Sequence, residues 1–258
     1  MKISRLLSTL PLVLNACADE SPTDVSQNSA GEGIWYGAFS AGAISSSTSA
    51  SGAVSTFEAT ESSGVGLYTS DARVFFYNEN EKLLFSNDTP GIIDANLYYY
   101  PDYYDASNNN AGSLSFAGNA YTYTSIAGAY SGAVNGNYVM LFDDSYFRGA
   151  DLNRLQGLWQ YSHAIGDWQF SILADGHFTA TLSTMFSCQI SGEFATIDST
   201  KNEYAIDNVT LLNCGGFDGH YTGLAATLDS TQTVISNDTL LMAIYNQSHG
   251  FFLKPVRQ

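Results

Sequence analysis

Charge is scarce in this chain, and what there is leans one way. Charged residues make up 13% of the 258 positions, with 25 acids against 9 lysines and arginines, for a formal net charge of −16. Such a surface repels phosphate backbones, which excludes nucleic acid as a natural partner, and it repels anionic headgroups, which excludes a basic membrane-binding face. Cysteine is limited to three residues, none in a Cys-x-x-Cys pair, so no dithiol redox motif is present. No apolar run reaches the roughly 20 residues that a membrane-spanning helix needs. Gly-x-Ser-x-Gly, Ser-x-x-Lys and His-Glu-x-x-His are missing too, and with them the usual signs of an activated serine or a zinc-bound water. The four histidines, His163, His177, His220 and His249, share no metal-ligand spacing, although His177 and His220 both follow Asp-Gly. The Asp102–Asn110 stretch fails as an EF-hand, with Asn110 and Phe116 where glycine and glutamate belong. Nothing in the sequence calls for a metal or a cofactor.

Aromatic residues are abundant, at 14% with 17 tyrosines and 15 phenylalanines. Together with many Ser, Thr, Asn and Gly residues they form the palette of an exported β protein with frequent turns, and they are too apolar for a disordered chain. The expected fold class is all-β: two small antiparallel meander barrels or sandwiches after a signal peptide and a flexible tether.

The N-terminus supplies the leader. Met1-Lys2-Ile3-Ser4-Arg5 is a short basic start, Leu6 to Leu14 is a short apolar run containing Pro11, and Leu14-Asn15-Ala16-Cys17 closes it. This order is that of a secretory signal. The closing Leu-Asn-Ala-Cys resembles the lipobox of bacterial lipoproteins. That resemblance implies cleavage after residue 16, lipidation of Cys17, and a membrane attachment through lipid at about 0.8 kcal/mol per buried methylene. Ala18 stands where an aspartate would resemble an inner-membrane retention signal, so the resemblance implies the outer membrane of a Gram-negative cell. Residues 17–32, rich in Asp, Glu and Ser, read as the tether.

With Cys17 assigned to lipid, Cys188 and Cys214 remain, and two thiols in an oxidising envelope pair. The segments Ser187–Ile197 and Tyr204–Cys214 flank the polar turn Asp198-Ser199-Thr200-Lys201-Asn202. A hairpin centred on Lys201 sets Cys188 opposite Cys214, Ile190 opposite Leu212 and Thr196 opposite Ile206. Phe194 and Tyr204 then share that apolar face, while Gln189, Glu193, Asp207 and Asn213 point away.

Beyond the tether the chain reads as two related halves, 33–149 and 150–258. Gly33-Ile34-Trp35-Tyr36 opens the first and Gly157-Leu158-Trp159-Gln160-Tyr161 the second; Tyr138–Phe142 and Leu240–Tyr245 are similar apolar strands near their ends. The second half is a meander, with Asp167–Leu173 and His177–Leu182 joined by Ala174-Asp175-Gly176, then the cysteine hairpin, then Tyr221–Leu228. A short helical turn is expected over 150–156. The Gly-x-Trp opening after such a turn resembles lipocalin-type and avidin-type barrels, which implies a barrel bottom closed by Trp159. More broadly the second half resembles a β domain of uncharacterised Gram-negative lipoproteins, a resemblance that carries no activity. In the first half, Val65–Tyr68, Ala72–Tyr77 and Lys82–Phe85 read as strands, and Ser40–Thr56 as a loop or a weakly specified hairpin.

The candidate binding residues are Tyr98, Tyr99, Tyr100, Asp102, Tyr103, Tyr104 and Asp105. Their rings stack on sugar or protein surfaces and their hydroxyls and carboxylates hydrogen-bond; the plainer alternative is strand-end tyrosines alternating between core and solvent. Asp143-Asp144 and Asp102/Asp105 are the possible carboxylate pairs for a glycosidase, but a solvated acidic surface explains them better. The sequence therefore points to a non-catalytic, lipid-anchored envelope module that binds a protein or a glycan, with a periplasmic accessory or assembly subunit as the alternative.

Overall fold

In a computed structural model the described residues are 31–41, 64–79, 83–87, 94–99, 110–122, 125–132, 135–163, 166–183, 187–229 and 237–258, with backbone alone for 39–41, 83, 94–99, 110–114 and 116–122. The first half is a closed antiparallel barrel. Its strands are β1 (Gly33–Ala41), β2 (Gly64–Tyr68), β3 (Val74–Asn78), β4 (Leu83–Asn87), β5 (Asp94–Tyr99), β6 (Asn110–Thr122), β7 (Ser125–Gly132) and β8 (Gly136–Asp143), each paired to the next. β1 returns to β8 in the register Ile34↔Asp143 to Ala41↔Gly136 and removes both sheet edges. That closure needs backbone contact at Gly37, where a Cβ would sit 1.9 Å from the Val139 carbonyl oxygen.

A 3-10 turn at Asp144–Arg148 and the helical turn α1 (Leu152–Leu155) lead to the second half. Asp143 and Asp151 cap them by accepting from the Ser145 and Asn153 amides. A curled antiparallel sheet follows: β9 (Gly157–His163), β10 (Gly166–Ile172), β11 (His177–Leu182), β12 (Gln189–Thr196), β13 (Tyr204–Leu212), β14 (Gly219–Leu228), β15 (Thr239–Tyr245), β16 (Gly250–Leu253) and β17 (Val256–Arg257). β14 pairs with β15, and β17 bridges β15 to β9, so the pairing runs around a ring. The all-β architecture of two barrel-like units expected from the sequence is present.

Each unit has an aromatic interior. Trp35, Val74, Phe76, Phe85, Tyr130 and Met140 fill the first. Trp159, Phe170, Ile172, Phe178, Phe194 and Met242 fill the second. The two openings are built alike. Gly33 and Gly157 have φ of +156° and +135°, and two residues on, each tryptophan donates its indole N–H to the carbonyl four residues earlier, Trp35 to Gly31 at 2.9 Å and Trp159 to Leu155 at 2.8 Å.

The outer faces of the two units pack on each other. Ile34, Leu67, Phe75, Tyr77 and Leu84 of the first form one buried cluster with Leu224, Leu241, Ala243, Tyr245 and Phe252 of the second. Tyr77 stacks on Phe252 with centroids 4.2 Å apart and planes 13° apart. This explains why β3 and β15 are buried at every residue: one face looks into a barrel and the other onto the neighbouring unit.

Cys188 and Cys214 are joined by a disulfide, as expected. The hairpin register differs. Ile190 lies opposite Leu211, not Leu212, and Thr196 opposite Tyr204, not Ile206. Two features set it: the turn is centred on Thr200 rather than Lys201, which pairs Thr196 with Tyr204, and between Ser191↔Thr210 and Glu193↔Asp207 β13 carries an extra residue, with Asn208 at φ +52°, which brings Ile190 opposite Leu211. Alternation resets across it, so Tyr204 and Ile206 before the bulge and Val209 and Leu211 after it all face inward, and Leu212 is 52% exposed.

Candidate functional site

The residues singled out in the sequence are placed unevenly. Cys17 and residues 1–16, expected to be a signal peptide, lie outside the described residues, as do Tyr100, Asp102, Tyr103, Tyr104 and Asp105. Tyr98 and Tyr99 are described in backbone only, on β5 opposite Leu84 and Leu83. Asp143 is occupied as a helix cap, and Asp144 is exposed beside it. The histidines are dispersed. His177 lies 3.6 Å from Glu193, the His220 ring is 3.2 Å from the Thr210 hydroxyl, His249 is buried against Phe217 and Phe251, and His163 stacks on Tyr161. Among the described residues no three metal-binding side chains converge.

The most concentrated polar chemistry is a buried knot at one pole, where both units meet the start of the described chain. Glu203 accepts from the backbone N–H of Ser70 (2.9 Å), from the Ser70 hydroxyl and from the Tyr146 hydroxyl (2.8 Å). Burial pushes its carboxyl above the ordinary glutamate range, outweighing those donors and the Lys201 charge, which pull it down. Lys201 pairs with the buried Glu32 and lies over the Tyr146 ring at 5.9 Å. Asn202 donates to the Ser145 and Thr227 carbonyls and accepts from the Thr227 N–H and hydroxyl. Arg148 pairs with Asp229 at 2.5 Å. A serine, a tyrosine and a carboxylate together suggest chemistry, but Glu203 and Tyr146 have no exposed surface. The knot is a lock between units: Ser70 and Glu32 belong to the first, Lys201 and Glu203 to the second. Glu32, read from sequence as the tether's last residue, is packed into it.

Accessible chemistry lies in a cleft of about 610 Å³ where the units diverge. One wall is Tyr36, Val65, Tyr77 and Glu79 of the first unit; the other is Gln160, Tyr161, Ser162, Phe252, Lys254 and Gln258 of the second. β1 and β3 present Tyr36 and Tyr77 outward because Trp35 and Phe76 take the interior. By the same alternation Trp159 points in and Gln160 out. Burial, then Asp143 and Asp229, raises the Tyr36 hydroxyl well above the ordinary tyrosine range, which keeps it a neutral donor and acceptor. The volume falls within that of ligand pockets, and the mixture of ring faces with a few polar groups is their usual lining.

Sequence reading missed this cleft. Gln160, Ser162 and Gln258 carry no motif, and they become a site only because two sheets stack. Tyr36 and Tyr161 carry a signal, since each follows a Gly-x-Trp opening closely, but from sequence that signal marks a repeated opening and a barrel bottom closed by Trp159. Comparison of the chain with protein-family models, curated proteins and solved structures finds no match to any of them.

Proposed function

We propose that this chain is a non-catalytic binding module of the bacterial cell envelope, held on the outer membrane by lipid at Cys17, with the inter-unit cleft as its binding surface for a protein or glycan. The cleft carries the reading: rings, uncharged hydrogen-bonding groups and one charge of each sign, Glu79 and Lys254, line an open groove on a scaffold whose two halves are locked together at one pole. The lipobox-like Leu14-Asn15-Ala16-Cys17 supports the anchor. The lock includes Glu32, the last residue of the tether as read from sequence, so the anchor pulls on the locked pole and not on the cleft.

Two arms on intact cells test this. Cys17→Ser should release the protein from membranes, and unchanged membrane retention overturns the anchor. Protease shaving should cleave the wild type on intact cells. Protection lost only on lysis would replace surface display by the second reading, a periplasmic accessory subunit.

A further inference from the structure

We infer that the cleft takes a neutral, hydroxyl-rich oligosaccharide; this rests on the cleft being the binding surface. The argument starts from the backbone of its walls. Tyr36 is paired on both sides, to Val65 and Leu141; so is Tyr77, to Val65 and Leu84; so is Gln160, to Gln169 and Val256. At these positions the walls are sheet faces, and their main-chain groups are already in ladders; β16, which carries Phe252, is the exception, paired to β15 alone. An extended peptide is recognised chiefly by main-chain bonds to a sheet edge. On these faces its own amides would be desolvated without partners, at a cost.

A sugar has no such requirement. It offers hydroxyls, each both donor and acceptor, around apolar C–H faces. Gln160, Ser162 and Gln258 are likewise both donors and acceptors. Gln160 and Ser162 stand two residues apart on one face of β9, roughly 6.6 Å along the strand, so a ladder of polar contacts runs along the groove. Tyr36 supplies a ring face. Charge selects for neutrality: Glu79 and Lys254 stand on opposite walls and cancel, while the acidic chain as a whole repels polyanions.

The test uses the detergent-solubilised full chain and a panel of neutral hexose and N-acetylhexosamine tetrasaccharides, with a heparin tetrasaccharide as the polyanion control. At least one neutral member should bind, heparin should not, and the double variant Gln160→Ala/Gln258→Ala should weaken binding at least tenfold. Ser162→Trp, which fills the groove, should abolish it, with far-UV circular dichroism verifying the fold of both variants. Saccharide binding that both variants leave unchanged overturns the inference. So does a panel with no binder, or preference for heparin. Binding of the same protein to isolated envelopes separates the two levels of failure. Envelope binding that Ser162→Trp abolishes, with no saccharide bound, keeps the cleft and removes the glycan. Envelope binding that Ser162→Trp leaves intact removes the cleft itself.

Discussion

Glu203, from the second half, sits without solvent contact and accepts from Ser70 and Tyr146 of the first, so its protonation is coupled to the lock. Its carboxyl is raised by burial, which means the folded chain binds this proton more tightly than the unfolded chain does. The contribution is fully present below the ordinary glutamate pKa and is lost as pH rises through the raised value. Urea midpoints of wild type minus Glu203→Gln, taken between about pH 4 and 7, should therefore fall with rising pH. A difference that is flat or rises with pH contradicts the assignment. Asp71 and Asp198, whose carboxyls are lowered chiefly by hydrogen bonds against the burial that raises them, cancel in this comparison because both proteins carry them. Arg257 is the second residue whose role the fold alone reveals. Its guanidinium lies 4.4 Å over the Trp159 ring and donates to the carbonyls of Gln156 (2.7 Å) and Arg154, tying the last strand to the helical turn before β9. Arg257→Ala should cost about 2 kcal/mol, and Arg257→Lys about half that, because an ammonium loses the flat stacking and the forked donors. Thermal melts followed by tryptophan fluorescence measure both. The sequence announced Trp159 through Gly-x-Trp; it gave no sign of Arg257, since a lone basic residue near a terminus looks like any solvated charge.

At the scale of elements, alternation was the reliable guide and register the fragile one. The strands β10 and β11 and their Ala174-Asp175-Gly176 turn were readable because apolar residues alternate cleanly on both sides of a glycine turn. The cysteine hairpin was readable as a pair of strands and as a disulfide, but Asn208 inserts one residue into β13 and resets the faces beyond it. Simple counting from the turn put Leu212 in the core, where Leu211 is found. Leu211→Ala should cost about 2–4 kcal/mol and Leu212→Ala under about 0.5 kcal/mol, as chemical denaturation would show. Equal costs would contradict the bulged register. The disulfide closes a loop with a sequence separation of 26, and Cys188→Ala/Cys214→Ala should lose about 3–4 kcal/mol on the chain-entropy account. The unbroken apolar runs Val74–Tyr77 and Leu240–Tyr245 held a message that alternation does not carry. A strand apolar on both faces must be covered on both, and here the second cover is the other half of the molecule.

The whole molecule behaves, on this account, as one cooperative body made of two barrel-like units. Phe75, Leu224, Leu241 and Phe252 are buried only because the units stack, so the second half produced alone would expose an apolar face. The intact chain should unfold in a single calorimetric transition, and residues 150–258 alone should bind a hydrophobic dye or self-associate; two separate transitions would contradict the coupling. Two units were legible in the repeated Gly-x-Trp openings. Their contact was not, because it pairs residues far apart in sequence that carry no motif. The same holds for the cleft, whose walls come from β1, β3, β9 and the last residues of the chain. That cleft is the central claim, and the most direct test is a titration of isolated envelopes with wild type and with Ser162→Trp. At least a tenfold loss of affinity in the folded variant is the predicted result. Equal binding by the two proteins would show that the partner meets the molecule elsewhere.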